Sequence, residues 1–463
     1  MINSVIFREY DIRGVWQRDL TEEVVERIGR AFAVYLKNTL QKEKVKVSIG
    51  RDVRISSSIM LKALSQGLLT SGIDIVDIGI CPTPAQYFSL FHLPIDGGVM
   101  ITGSHNPPEF NGMKLSVDKE TLYGEKIQEI RKISEEGDFI QGIGKAEEYE
   151  IIPKYLEYLR NSFPPLNGIK VVVDAGNGTA GLVAPHVMRG LGCEVTELYC
   201  NPDGNFPNHH PDPVVMDNLK DLIAEVVSSG SDIGIGYDGD ADRIGVINDK
   251  GEVIWGDMLL VIFARDIIER RKAEGIQEKA IVIGDVKCSQ IMYDEIERIG
   301  GNPIMWKTGH SLIKHKVKET GAPLGGELSG HMFFADRYFG YDDAIYASLR
   351  LLEILSKIGR PYSLDRLLGD VPKSVSTPEI RVACPDDIKF QVVKRVKEEF
   401  KEYHFTDIDG IRILFNKGWG LVRASNTQPA LVLRFEAQDE QSLRDIKKIV
   451  EEKLGSIMLR FNR

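Results

Sequence analysis

Three times along this chain a short run of β-branched and apolar residues stops at a polar, glycine-rich loop. Gly98-Val99-Met100-Ile101-Thr102 runs into Gly103-Ser104-His105-Asn106-Pro107-Pro108. Asp232-Ile233-Gly234-Ile235-Gly236 runs into Tyr237-Asp238-Gly239-Asp240-Ala241-Asp242-Arg243, and Ala322-Pro323-Leu324 into Gly325-Gly326-Glu327-Leu328-Ser329-Gly330-His331. Further strand-length runs stand upstream of each loop: residues 45–52 and 73–80 with a helical stretch at 57–69 between them, then 169–174 and 194–199, then 280–284 and 303–307. Strand-length runs alternating with helix-length segments predict α/β units with mixed, mainly parallel sheets. Three related units in tandem are the simplest account. Open α/β sheets bind ligands beyond the C-termini of their strands, so the three loops are expected to share one central cleft.

The chain has 463 residues, too many for one compact core and enough for roughly three or four domains. From about residue 363 the pattern changes to helix 388–403, strands 411–415, 420–424 and 431–437, and helix 440–453, which reads as a smaller C-terminal α+β domain. The expected division is 1–150, 151–253, 254–362 and 363–463.

Charge and composition remove several function classes. Lys+Arg 58 against Asp+Glu 68 gives a net charge of −10, so no global positive field draws in nucleic acid or an anionic membrane. Any anionic ligand must be met by a local basic cluster. Residues 1–9 lack the pattern of a signal peptide, and the apolar run 258–264 is far shorter than the roughly 20 residues a membrane helix needs. A cytoplasmic protein is expected, a monomer or weak homo-oligomer. Five scattered cysteines with no C-x-x-C pair predict buried free thiols.

The loops carry distinct chemistries. In Thr102-Gly103-Ser104-His105-Asn106-Pro107-Pro108 the glycine permits a tight backbone and the prolines forbid regular structure, so the Ser104 hydroxyl is held out. A serine nucleophile needs activation, which His105, Lys114 or a metal ion can supply. Asp238, Asp240 and Asp242 alternate with small residues and can converge on one hard cation. A calcium loop is rejected, because Arg243 stands where that loop needs Gly and Asp249 where it needs Glu. Glu327, Ser329 and His331 offer polar groups to a hydroxyl-rich ligand. Arg423, Ser425, Asn426 and Thr427 join a fixed cation to hydroxyl and amide groups, suited to a phosphate dianion. Two glycine patterns, Gly176-Asn177-Gly178-Thr179-Ala180-Gly181 and Gly234/Gly236/Gly239, imitate a dinucleotide fingerprint. The second runs into three aspartates that would repel a pyrophosphate, and no P-loop is present.

These loops, in this order, resemble the α-D-phosphohexomutase superfamily and its phosphomannomutase/phosphoglucomutase branch. The resemblance runs nearly end to end, from Phe7-Arg8-Glu9-Tyr10-Asp11-Ile12-Arg13-Gly14 through residues 102–114, 238–243 and 327–331 to 423–429. It implies three related α/β domains and a smaller fourth, and a mutase that interconverts hexose 1- and 6-phosphates of mannose or glucose through a phosphoserine and a 1,6-bisphosphate. By the resemblance Ser104 is the phosphoserine and, with Asp238, Asp240 and Asp242, holds Mg²⁺; Glu327, Ser329 and His331 hold the sugar. Arg423 to Thr427 grip the non-reacting phosphate, while Tyr10, Lys287, Arg13, His105, Lys114, Arg243 and His310 complete the active site. Glucose 1,6-bisphosphate or mannose 1,6-bisphosphate is the implied activator, and small hexose phosphates are the only partners. Gln428 departs from the family, which commonly has Glu there. The nearest alternative is a phosphoglucosamine mutase, from which Gly103 and Leu328 differ. A metal-dependent sugar phosphatase and a non-enzymatic phosphosugar-binding protein stand further off.

Overall fold

The computed structural model describes residues 2–461 except Asn167 and Thr427. It contains four separate sheets. In the first, the parallel strands Val45–Arg51, Ile73–Ile80, Gly97–Ile101 and Ala146–Glu148 are extended by the antiparallel Phe110–Val117 and Ile12–Val15. In the second, Glu194–Leu198, Lys170–Asp174 and Ile233–Tyr237 run parallel, and Ile244–Asn248 returns antiparallel. In the third, Asn302–Trp306, Ile281–Asp285 and Leu324–Gly326 run parallel, and Met332–Phe334 returns.

One device therefore recurs three times. Gly97–Ile101, Ile233–Tyr237 and Leu324–Gly326 each turn back beside themselves, and the turn is the polar loop: 102–109, 238–243 and 327–331. A parallel strand buried on both faces must be apolar throughout, and Val171, Val172 and Val173 meet that condition with no exposure. At the strand's C-terminal end this constraint lifts, so polar side chains collect there.

The units are not packed alike. The first has its own core around Val47, Ile49, Ile101 and Leu115 beneath the helices Glu22–Leu40 and Ser57–Leu69. Thr21 caps the former by accepting from the Val24 amide, with Glu22 and Glu23 complementing the helix dipole. The second and third share one continuous core, which also takes in the other face of the first sheet through Val76, Ile78, Tyr87, Phe88 and Met100. Helix Ala344–Ile358 runs between them, packed against strands Ile244–Asn248 and Met332–Phe334, and is buried around its whole circumference from Ala344 to Leu355.

The fourth sheet is antiparallel, with Ala430–Ala437, Gly418–Ala424 and Ile411–Phe415 at its centre. Helices Lys389–Glu399 and Glu440–Phe461 enclose a core of its own with it. All five cysteines are buried and free. Among the described residues no helix is long and apolar enough to cross a membrane.

Candidate functional site

The three loops and the loop of the fourth sheet meet around a cleft of about 1000 Å³. Its wall takes Arg13 and His105 from the first unit, Arg243 from the second, Lys287, His310, Glu327, Ser329 and His331 from the third, and Arg423, Ser425 and Asn426 from the fourth. Tyr10 ties its ends together, donating to the Thr308 carbonyl and accepting from Asn426 Nδ2, each at 2.6 Å. Thr427 lies outside the described residues.

Ser104, Lys114 and the three aspartates are buried directly behind this wall. Ser104 has a left-handed backbone, φ +49°, a conformation that is costly for a residue with a Cβ and is held only by its surroundings. Its amide donates to Thr102 Oγ1 at 2.8 Å, its hydroxyl donates to Asp238 Oδ2 at 2.7 Å, and His105 Nδ1 is 3.2 Å from the hydroxyl. Gly239 makes the approach possible, because a Cβ there would stand 2.6 Å from the Ser104 carbonyl oxygen.

Asp238, Asp240 and Asp242 present carboxylate oxygens within 4.8 Å of one another, all buried. Burial and the two neighbouring carboxylates hold Asp238 well above the usual carboxylate range. Burial also pushes Asp240 and Asp242 upward, but Lys114 reverses the balance and both end below it. Lys114 Nζ donates to Asp240 Oδ2 at 2.7 Å and to Asp242 Oδ2. Asp240 Oδ1 and Asp242 Oδ1 remain buried with no hydrogen-bond donor. Two donorless buried carboxylate oxygens beside a third carboxylate and a hydroxyl form a hard, anionic donor set, which fits a divalent cation such as Mg²⁺.

Behind Glu327, Ser329 and His331 the charges interlock. Arg243 Nε donates to His331 Nε2 at 3.0 Å, so that nitrogen is an acceptor, and Nδ1 lies 3.2 Å from Asp342 Oδ2. His310 is driven well below its ordinary pKa by burial, then by Lys314 and Lys114. His105 is lowered likewise by burial, then by Arg243 and Arg13. Glu327 Oε1 accepts from the Gly309 amide at 2.5 Å, and burial raises its pKa. Lys287 Nζ donates to Glu379 Oε1 at 2.7 Å; despite the opposing effect of burial, Lys287 holds Glu379 down at about 2.

In the fourth unit Arg423 Nε donates to Asp409 Oδ2 at 2.9 Å. Buried Lys389 donates to the carbonyls of Ser425 at 2.6 Å and Gln428 at 3.2 Å, fixing both ends of the loop. Arg381 donates to Gln428 Oε1 at 3.2 Å, so the uncharged side chain still anchors the loop. Both glycine decoys are closed: a Cβ on Gly178 would meet the Gly239 backbone at 2.7 Å, leaving no space for a pyrophosphate. Asp342, Glu379, Asp409, Arg381 and Lys389 carry no motif. Only the adjacent pair Asp342-Asp343 before a helix gave a signal that could have been followed.

Comparison with known proteins agrees with this architecture. Four families match in order along the chain: phosphoglucomutase/phosphomannomutase alpha/beta/alpha domain I over residues 4–141, domain II over 153–251, domain III over 255–374, and the C-terminal domain over 379–453. A phosphomannomutase/phosphoglucomutase of Pseudomonas aeruginosa is 46% identical over 454 residues, 98% of this chain and 96% of that protein. A phosphoglucomutase of Neisseria gonorrhoeae is 42% identical over 96% of each chain. The crystal structure of a phosphoglucomutase/phosphomannomutase family protein from Burkholderia thailandensis superposes with a TM-score of 0.90 at 39% identity, covering 99% of this chain and 98% of that one. With all four domains in register and identity sustained from end to end, the chain belongs to the phosphoglucomutase/phosphomannomutase family of the α-D-phosphohexomutase superfamily.

Proposed function

We propose that this protein interconverts hexose 1-phosphates and hexose 6-phosphates, of mannose or glucose, with Ser104 as phosphoryl carrier and a hexose 1,6-bisphosphate as intermediate. The observation that carries the reading is the Ser104 hydroxyl, 2.7 Å from Asp238 inside a buried acidic triad, directly behind the wall of the cleft whose fourth side holds Arg423, Ser425 and Asn426. A serine joined to a cation site and facing a second phosphate grip suits transfer between two ends of one sugar better than hydrolysis.

Ser104, Asp238, Asp240 and Asp242 would hold Mg²⁺, which when bound offsets the negative charge of the moving phosphoryl group. The Arg423 loop grips the phosphate already on the sugar, and Glu327 and Ser329 orient its hydroxyls. The free hydroxyl attacks phosphorus on Ser104, the bond from phosphorus to Oγ breaks, and the proton that the hydroxyl loses balances the one that Oγ gains. Lys114 and Arg243 remain charged through their carboxylate neighbours, so each stabilises charge and neither accepts a proton. His310, on the cleft wall and kept neutral by burial, can relay the hydroxyl proton but does not keep it. After the bisphosphate turns over in the cleft, the same steps run in reverse and return the other phosphoryl group to Ser104. A hexose 1,6-bisphosphate primes the unphosphorylated enzyme.

Phosphorus NMR tests this. The protein with Mg²⁺ and a trace of glucose 1,6-bisphosphate is given glucose, mannose and glucosamine 1-phosphates in turn. A growing 6-phosphate resonance is expected with glucose or mannose, and none with Ser104→Ala. Inorganic phosphate in place of the 6-phosphate would make the protein a phosphatase, preference for glucosamine would move it to the aminosugar branch, and an active Ser104→Ala would remove Ser104 as carrier.

A further inference from the structure

Behind the Ser104 loop, on the side away from the cleft, one guanidinium spends every donor it has. Arg54 is fully buried and contributes nothing to the cleft wall. Nη1 donates to the carbonyls of Pro107 at 2.6 Å and Phe110 at 3.0 Å, and Nη2 to those of Ser104 at 2.8 Å and Asn106 at 2.5 Å. Nε donates to Asp52 Oδ2 at 3.1 Å, which completes the five N–H groups of an arginine. The same Asp52 oxygen accepts from the Gly103 amide at 3.0 Å, and its partner oxygen accepts from Ser57 Oγ at 2.5 Å. Ser104, Asn106 and Pro107 belong to no strand, so their carbonyls have no ladder to satisfy them.

The second unit closes over this arrangement. The Phe206 ring lies 5.0 Å from the guanidinium carbon. Gly204 presses so closely that a Cβ would stand 2.4 Å from the Val53 carbonyl oxygen and 2.8 Å from Arg54 Cα. The unit that brings the aspartates to Ser104 thus also backs the residue that holds the Ser104 loop.

We infer that Arg54, framed by Asp52 and backed by Phe206, is a positioning residue for Ser104: it fixes the peptide groups on both sides of the serine so that the left-handed backbone persists and the hydroxyl points at the triad. The inference rests on Ser104 being the phosphoryl carrier. Lysine has three donors and no planar fork, so Arg54→Lys keeps the charge and releases the loop.

The test compares parent, Arg54→Lys, Phe206→Leu and Ser104→Ala, with Mg²⁺ present. In Arg54→Lys the expected kcat for hexose 1-phosphate conversion falls about a hundredfold, as for a reacting group displaced by about an ångström. KM and the calorimetric Kd for glucose 1-phosphate stay within about threefold, because Arg54 touches nothing in the cleft. Amide exchange of residues 103–110 accelerates by about tenfold or more while that of strand Gly97–Ile101 is unchanged. Should Arg54→Lys not fold, Phe206→Leu decides, with a severalfold loss of kcat at constant KM and faster exchange in the same loop. A folded variant with parental kcat, or a loop whose exchange does not change, overturns the inference. Turnover in Ser104→Ala, or no mutase activity in the parent, overturns the functional reading instead, and exchange still tests the clamp.

Discussion

Lys114 carries its charge into a space that already contains three carboxylates, and this single residue sets how the site behaves without a cation. Its ammonium compensates Asp240 and Asp242 in a place from which water is excluded. Removing one member of a buried ion pair costs about 3–5 kcal/mol, because the partner is left charged and unpaired. Lys114→Met, which keeps the stem and loses the charge, is expected to reduce unfolding free energy in EDTA by about 3 kcal/mol. Saturating Mg²⁺ restores part of the loss through binding to the folded state alone. Urea unfolding in EDTA and in Mg²⁺ reads both, and equal stability of variant and parent in EDTA would contradict the argument. The pH dependence follows with its sign. Asp240 and Asp242 are depressed below 3.8, so in the parent their contribution is present above that pH and is lost as pH falls through their lower folded values. Without Lys114 the depression disappears, so the acid limb of the stability curve begins at higher pH.

The element that joins the second unit to the Ser104 loop is the segment between strand Glu194–Leu198 and the short 3-10 helix Met216–Leu219. It carries Phe206 and is held by His209, whose Nε2 lies 3.1 Å from Asp174 Oδ2 while Nδ1 lies 2.8 Å from the His210 carbonyl. Acceptors at both nitrogens require both to carry protons, so the ring is an imidazolium. Burial opposes this, but Asp174 prevails and the His209 pKa is raised. A raised pKa gives stability that is complete below the unfolded value near 6.5 and is lost as pH rises through the folded value. The parent is expected to lose unfolding free energy between neutral and alkaline pH, and His209→Gln to show a flatter profile over that interval. Chemical denaturation at several pH values, with an NMR titration of the ring, checks both; identical slopes would remove His209 as the source. No such coupling was legible in the sequence, where His209 and Asp174 are 35 positions apart. Residues that act through their neighbours in the chain were legible: Asp238, Asp240 and Asp242 announce a cation because they alternate within five positions. Arg54 and Glu379 act on groups distant in the chain, and nothing local marks them. Among the elements, the antiparallel return strands escaped notice, and the third unit's last parallel strand proved to be Leu324–Gly326, with Gly325 and Gly326 in the strand and outside the loop. Glycine weakens a strand, so propensity reads it as loop. Here helix packing demands it, since a Cβ would stand 2.7 Å from Val317 Cγ2 or 2.8 Å from Leu260 Cδ2.

At the scale of the whole molecule, the cores decide what can move. The second and third units share one apolar interior that reaches into the first at Ile78, Tyr87, Phe88 and Met100, whereas the fourth has its own and meets the third through a small apolar patch of Val286, Trp419 and Leu421. Most of what joins them is polar and centred on Arg412. Its Nη1 donates to the carbonyls of Val286 at 2.9 Å and Cys288 at 2.8 Å, its Nη2 to Gln290 Oε1 at 3.2 Å, and its guanidinium carbon lies 3.8 Å from the Trp419 ring centre. Arg434 adds a bond to the Lys287 carbonyl at 2.5 Å. An interface of this kind can open without exposing a core, as reversible admission of a charged sugar phosphate requires, and when closed it keeps water from a phosphoserine that would otherwise hydrolyse. Arg412→Met retains apolar contact with Trp419 but withdraws three charge-assisted bonds, each worth about 1.5–3 kcal/mol when its partner stays buried. The expected outcome is a fourth unit that unfolds apart from the rest: calorimetry of Arg412→Met resolves a low-temperature transition absent from the parent, and limited proteolysis cuts first between helix Ala344–Ile358 and strand Ile380–Ala383. Free phosphate should accumulate faster relative to isomer in the same variant, because a loosely held fourth side admits water to the phosphoenzyme. A single cooperative transition with an unchanged ratio of phosphate to isomer would show that Arg412 does not govern the interface, and that the cleft stays closed by the contacts of Tyr10 and Lys287 with the fourth unit.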